Sequence, residues 1–197
     1  MQPVTDMVCR WDAPGGAGSV FLSASTIRDL RTKAIEAFVS LPKRGVETGG
    51  LLFGREQGGH LFIQGSEEVM CEHRYGPSFT LSDADRARLA DRLAQARRDG
   101  SLPVIGFYRS YTGREVVLEA AELALLRDRF PQGPFVFLLL QPVSAQICTA
   151  SFRLCQDGEL LPEPPYTPVS FDPEQFHSAT EAPVEIDTDT DTQTAPE

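Results

Sequence analysis

Apolar residues at Ile27, Leu30, Ala34, Ala37, Phe38 and Leu41 recur at helical spacing, and Pro42 ends the run. This predicts an amphipathic helix, opened near Ser25, with one stripe facing a core. Before it, Met7 to Trp11 and Ser19 to Leu22 read as short strands around the turn Asp12-Ala13-Pro14-Gly15-Gly16. After it, Glu47 to Arg55 and His60 to Glu72 are extended runs joined by Gln57-Gly58-Gly59, the pattern of a hairpin. Ser82 with Asp85 three residues on predicts a capping box, opening a helix that turns Leu89, Ala90, Leu93 and Ala96 inward and closes at Gly100. Pro103 to Tyr108 is continuously apolar, as a central strand would be. A polar loop, a third helix through Leu123, Leu126 and Phe130, a buried strand from Phe135 to Leu140 and an alternating strand from Ala145 to Leu154 come next.

Near Pro162 the pattern stops. Prolines at 162, 164, 165, 168 and 173 break regular elements, and Asp187 to Thr192 is a two-residue repeat. The expectation is one domain over residues 1–162 and a proline-rich, acidic, disordered tail over 163–197, too poor in apolar residues to offset the entropy of ordering. Tyr166, Phe171 and Phe176 stand out in it as spaced aromatics able to pack on the domain or dock into a partner.

Charge changes the picture once it is located. The net charge is −10, but residues 163–197 hold nine of the 28 acidic side chains and none of the 18 Lys and Arg. The domain is left with 19 acids against 18 bases. Neither part carries the basic surplus expected of a nucleic-acid or anionic-membrane binder. No apolar run approaches the roughly 20 residues of a membrane helix, and the N-terminus does not read as a secretory signal. Cys148 and Cys155 share one predicted strand, where seven steps of about 3.3 Å set them roughly 23 Å apart, too far for a disulfide. Cys9 and Cys71 complete a set with no Cys-x-x-Cys pair, as expected of reduced thiols in a cytoplasmic protein.

Three segments then share a spacing. Glu47-Thr48-Gly49-Gly50-Leu51-Leu52-Phe53-Gly54 resembles the strand of the JAB/MPN metalloprotease family that bears its catalytic glutamate. Val104 to Tyr111 resembles the strand ending in the family's His-x-His, and Glu119-Ala120-Ala121-Glu122 falls where it has Ser-x-x-Asp. Leu138-Leu139-Leu140 matches the strand after these, and the resemblance covers residues 20–155. It implies an α/β (α+β) fold, a mixed sheet flanked by about three helices in the layered arrangement of cytidine deaminases.

The resemblance also says what is missing. In active members two histidines and an aspartate hold zinc, and the glutamate moves protons for a zinc-bound water. By position Glu47 matches that glutamate and Ser110 the residue between the histidines, but Arg109 and Tyr111 replace the histidines themselves. Glu122 replaces the aspartate, Glu119 the serine, and Thr112 stands where proline is usual. Guanidinium offers no lone pair, and a phenol titrating near 10 is a poor ligand at neutral pH. Zinc and family-type catalysis are therefore expected to be absent. Arg109 is expected to take the metal's place, held by Glu47, Glu122 and Glu119. Cys71 and His73, on one side of a predicted strand, are the alternative ligand pair, one short of the three that catalytic zinc takes from protein.

The resemblance thus implies a metal-free binding or scaffold module whose partner is a protein, by family analogy another MPN domain or a ubiquitin-like or sulfur-carrier protein. Two rival readings stay open. One is a hydrolase using a carboxylate cluster of Glu47, Glu119 and Glu122, or a rebuilt metal site. The other makes the acidic tail the working part.

Overall fold

The computed structural model describes residues 7–42, 45–98, 102–113, 134–156, 159–161 and 167–176. These form a curled mixed sheet and two α-helices. The strands are β1 (Val8–Asp12), β2 (Ser19–Ser23), β3 (Gly49–Gln57), β4 (His60–Glu68), β5 (Val104–Ser110), β6 (Phe135–Pro142), β7 (Cys148–Gln156), β8 (Glu159–Leu161) and β9 (Val169–Ser170). In the sheet they run β1-β2-β4-β3-β5-β6-β7-β8, with β9 also on β7. β2 pairs with β4 and β5 with β6 in parallel, and every other pairing is antiparallel.

The helices are α1 (Ala24–Val39) and α2 (Asp83–Arg98). Ser23 caps α1 by accepting the Thr26 N–H at 3.1 Å, and Ile27, Leu30 and Ala34 face the core as their spacing predicts. The capping box of α2 forms in both directions: Ser82 N–H donates to Asp85 at 2.9 Å, and Asp85 N–H to the Ser82 hydroxyl at 3.1 Å. Burial alone would raise the Asp85 carboxyl, but its hydrogen bonds from Ser82 and Glu72 and the Arg88 charge outweigh that and hold it below the ordinary value. The hairpin of β3 and β4 turns on Gly58 and Gly59, both at positive φ.

The sheet separates two cores. Under α1 lie Val20, Leu22, Leu52, Leu61, Tyr108, Val136, Leu138, Leu140, Ala150, Phe152 and Leu154. Under α2 lie Leu51, Phe53, Phe79, Phe107, Tyr111, Phe135, Phe137 and Leu139. Period-two alternation along β6 sends Phe135, Phe137 and Leu139 to the second core and Val136, Leu138 and Leu140 to the first. Both faces of this strand are buried, which is why it reads as a continuous apolar run.

One expectation is corrected. Residues 167–176, assigned from the sequence to a disordered tail, are part of the fold. β9 pairs with β7 at Val169↔Ala150 and Ser170↔Thr149, and Phe171 N–H donates to the Cys148 carbonyl at 2.9 Å. Phe171 is fully buried, and Phe176 packs edge-on against Phe152 at 6.1 Å. Two aromatic side chains supply the burial that the proline-rich composition argued against. The third predicted helix, Glu119, Glu122, Tyr166 and residues 177–197 lie outside the described residues.

Candidate functional site

The site lies where the start of β3 meets the end of β5. The predicted strand from Glu47 begins two residues later, at Gly49, yet pairing reaches back through Ser110 N–H to the Thr48 carbonyl (2.7 Å) and Thr48 N–H to the Ser110 hydroxyl (2.8 Å). Glu47 is thereby fixed beside β5. Gly50 is needed for the close approach, because a Cβ there would overlap the Glu67 carbonyl oxygen and meet the Tyr108 ring. Along the end of β5 and just past it, Phe107, Arg109 and Tyr111 share the face toward α2, while Tyr108 faces the α1 core.

Glu47 and Arg109 are 3% and 9% exposed, which puts both charges out of water. Arg109 Nη2 donates to Glu47 Oε2 at 3.2 Å. The same oxygen accepts the Phe79 N–H at 3.1 Å, while Oε1 accepts the Thr112 N–H at 3.0 Å and its hydroxyl at 3.3 Å. Four donors therefore converge on one carboxylate, the satisfaction a buried charge requires. The Phe79 donor is itself set by Glu47, whose N–H donates to the Pro77 carbonyl at 2.8 Å.

Tyr111 belongs to the α2-side core, its N–H tied to the Leu140 carbonyl at 2.9 Å, and burial pushes its phenol up to about 12. Ser110 is fully buried and bonded to backbone, away from Arg109 by the alternation of β5. Of the predicted constellation, then, Glu47 and Arg109 meet, Tyr111 joins the core beside them and Ser110 braces the strand junction. The Phe79 and Thr112 donors escaped the sequence reading. The only signal for Thr112 was its place at a position where the resembled family usually has proline, which has no N–H to give.

Among the described residues, Arg109 and Tyr111 do not fit a zinc ion. The Arg109 guanidinium is paired to a carboxylate and has no lone pair to give, and the Tyr111 phenol, held protonated by burial, is a poor ligand near neutral pH. Cys71 and His73 lie past the end of β4 rather than on one strand. Burial raises the Cys71 thiol, whose sulfur is turned to the Thr80 carbonyl at 3.7 Å, and His73 has positive φ. Among the described residues no three His, Cys, Asp or Glu side chains converge as a metal site would need. No helix among them is long and apolar enough to cross a membrane.

No protein-family profile and no curated protein matches the chain. Among solved structures it is similar to a protein from Desulfitobacterium hafniense, at 17% identity and TM-score 0.49 over 72% of this chain and 88% of that one. It is also similar to a protein from Salinibacter ruber, at 18% identity and TM-score 0.44 over 73% and 88%.

Proposed function

We propose that this chain is a metal-free, JAB/MPN-like module with a cytidine-deaminase-like layering, which binds a protein partner in the cytoplasm and does not cut it. The observation that carries the reading is the state of Glu47. A general base needs a lone pair free for the incoming proton, and here Arg109, Phe79 and Thr112 occupy both carboxylate oxygens. Arg109 supplies at that spot the positive charge that a metal would otherwise bring. Thr112, in place of proline, adds an N–H that keeps the carboxylate saturated. Four free cysteines suit a reducing compartment. By family analogy the partner is another MPN domain or a ubiquitin-like protein.

The test is zinc loading of the untagged full chain after chelation, then incubation with a ubiquitin-like protein and with its isopeptide-linked conjugate. The expected result is below about 0.1 zinc per chain, saturable binding and an intact conjugate. Near one zinc per chain with cleavage would overturn the reading and restore the hydrolase alternative.

A further inference from the structure

One half of the sheet's second face lies beyond both cores. Its pairing register aligns Arg10 on β1 with Phe21 on β2, Phe21 with Phe62 on β4, and Phe62 with Arg55 on β3. The two phenyl rings stack at 4.6 Å and 6°, and neither belongs to the α1 or the α2 core. Arg10 sits over Phe21 at 5.6 Å and Arg55 over Phe62 at 5.1 Å. The result is an Arg-Phe-Phe-Arg row across four strands. His60 lies in the neighbouring row and meets Phe21 edge-on at 6.0 Å. Asp12 on that row already pairs with Arg10, and it stays ionised because the Ser19 hydroxyl holds it below the usual carboxylate range. Arg55 makes no ion pair among the described residues. The face therefore offers two half-buried rings, a guanidinium with no ion-pair partner among the described residues, and a histidine.

A natural counterpart lies on the same chain. The last described residue, Phe176, stacks edge-on against Phe152, and Phe152 stacks on Trp11 at 5.1 Å. Trp11 comes directly after Arg10 on β1, which is the edge strand of the sheet. The chain thus leaves the described fold beside the edge that bounds the aromatic row. Residues 177–197 carry six acids and no Lys or Arg. Within them Val184-Glu185-Ile186-Asp187 alternates apolar and acidic residues, with Asp189 and Asp191 just beyond. Seven intervening residues, 177–183, span at most about 25 Å. That is enough to round one edge strand and reach rings two strand spacings, about 10 Å, inward.

We propose that the segment Val184–Asp191 of this chain docks on the Arg10-Phe21-Phe62-Arg55 row. In this arrangement Val184 and Ile186 cover the two rings, and the chain bends past Ile186 so that Asp189 and Asp191 reach Arg55. The stacked rings supply apolar area, the guanidinium supplies charge, and the tether supplies a high local concentration. Any acidic partner of this face must then displace the segment. The proposal is independent of the reading of Glu47.

The test uses the full-length chain and a variant carrying Glu185→Gln, Asp187→Asn, Asp189→Asn and Asp191→Asn. A synthetic peptide of residues 181–192 is titrated into each, and amide and arginine side-chain NMR signals are tracked. Docking predicts that the neutralised chain binds the peptide about 10- to 100-fold more tightly than the intact one, with shifts at Phe21, Phe62 and Arg55. Adding Arg55→Glu, an exposed position that leaves both cores untouched, should abolish the difference. Equal affinities for the two chains, or shifts confined to the tail, would overturn the proposal. So would loss of the intact chain's Phe21 and Phe62 shifts on dilution, since contact with the tail of a second copy is concentration-dependent and a tethered one is not.

Discussion

The two faces of the sheet are built to different rules. Under α1 the buried side chains are mostly apolar, from Val20 and Leu22 on β2 to Leu154 on β7, with Phe171 closing the core and the uncharged Ser110 bonded to backbone at its margin. Under α2 an equally buried surface carries Glu47, Arg109, Ser151 and Arg153 among its phenylalanines and leucines. Ser151 and Arg153 sit opposite Leu139 and Phe137 in the β6–β7 register, so the polar positions continue across the sheet on that face. Stability alone would not select this. Desolvating a guanidinium and a carboxylate costs several kcal/mol each, and an apolar pair of the same volume often serves as well. The α1 face answers to packing, whereas the α2 face buries charged and polar side chains that packing does not require.

The two faces should respond most differently to the loss of one charge. Arg109→Ala leaves the Glu47 carboxylate buried without its cation and is expected to cost about 3–5 kcal/mol, lowering Tm by roughly 6–20 °C in a thermal scan. A shift under about 2 °C would mean that the pair contributes nothing. On the other face Phe171→Ala should cost about 3–4 kcal/mol, a cavity effect with no charge left behind. Because only the first loss is electrostatic, the two should part when denaturation is repeated over a range of salt and pH.

Replacing both partners should cost less than removing one. Arg109→Met with Glu47→Gln removes both charges together and should recover most of the stability lost in Arg109→Ala, leaving a deficit of about 1–2 kcal/mol by urea denaturation. If the double variant is as unstable as the single one, the site is held by something other than charge pairing. Asp85→Ala, which opens the capping box of α2, is expected to cost about 1 kcal/mol, visible as a small shift in urea midpoint. Since the folded Asp85 carboxyl is depressed, its contribution is present above its ordinary value of 3.8 and fades as pH falls through the folded value.

A further effect is an alkaline one, shared between the faces. Burial raises Cys148, under α1, from 9.0 to about 12, and Tyr111, under α2, from 10.0 to about 12. Both are buried in the neutral form, so their contributions are complete below the unfolded values and are lost as pH climbs toward the folded ones. Stability should start to fall near pH 9, and Cys148→Ala should lessen the slope between 9 and 10, where Cys71, also raised by burial, keeps a share. An unchanged slope in that variant would assign the whole loss elsewhere.

Much of this was legible in the sequence, for physical reasons. Period-two and 3.6-residue patterns placed seven strands and two helices, because each buries a regular stripe. The capping box at Ser82 and Asp85 and the glycine turn at Gly58 were local signals that local structure obeys. Glu47 and Arg109 are 62 residues apart, and only the spacing likeness suggested that they meet. The Phe79 N–H donor was hidden because a loop backbone group has no side-chain signature. β9 was hidden because prolines mask a two-residue strand whose ordering comes from Phe171. The aromatic row was invisible because register across four strands is not written in any one of them.

The stacking of Trp11 on Phe152 also bears on kinetics. It joins β1 to β7, residues 141 positions apart (152 − 11), and Phe176 locks against the same ring. A contact of that sequence separation is among the slowest to form, since much of the chain between must be ordered before the ring finds its partner. The seam should therefore close last in refolding and open early in unfolding. Trp11 is the only tryptophan in the chain, so its fluorescence reports that final step without any added label.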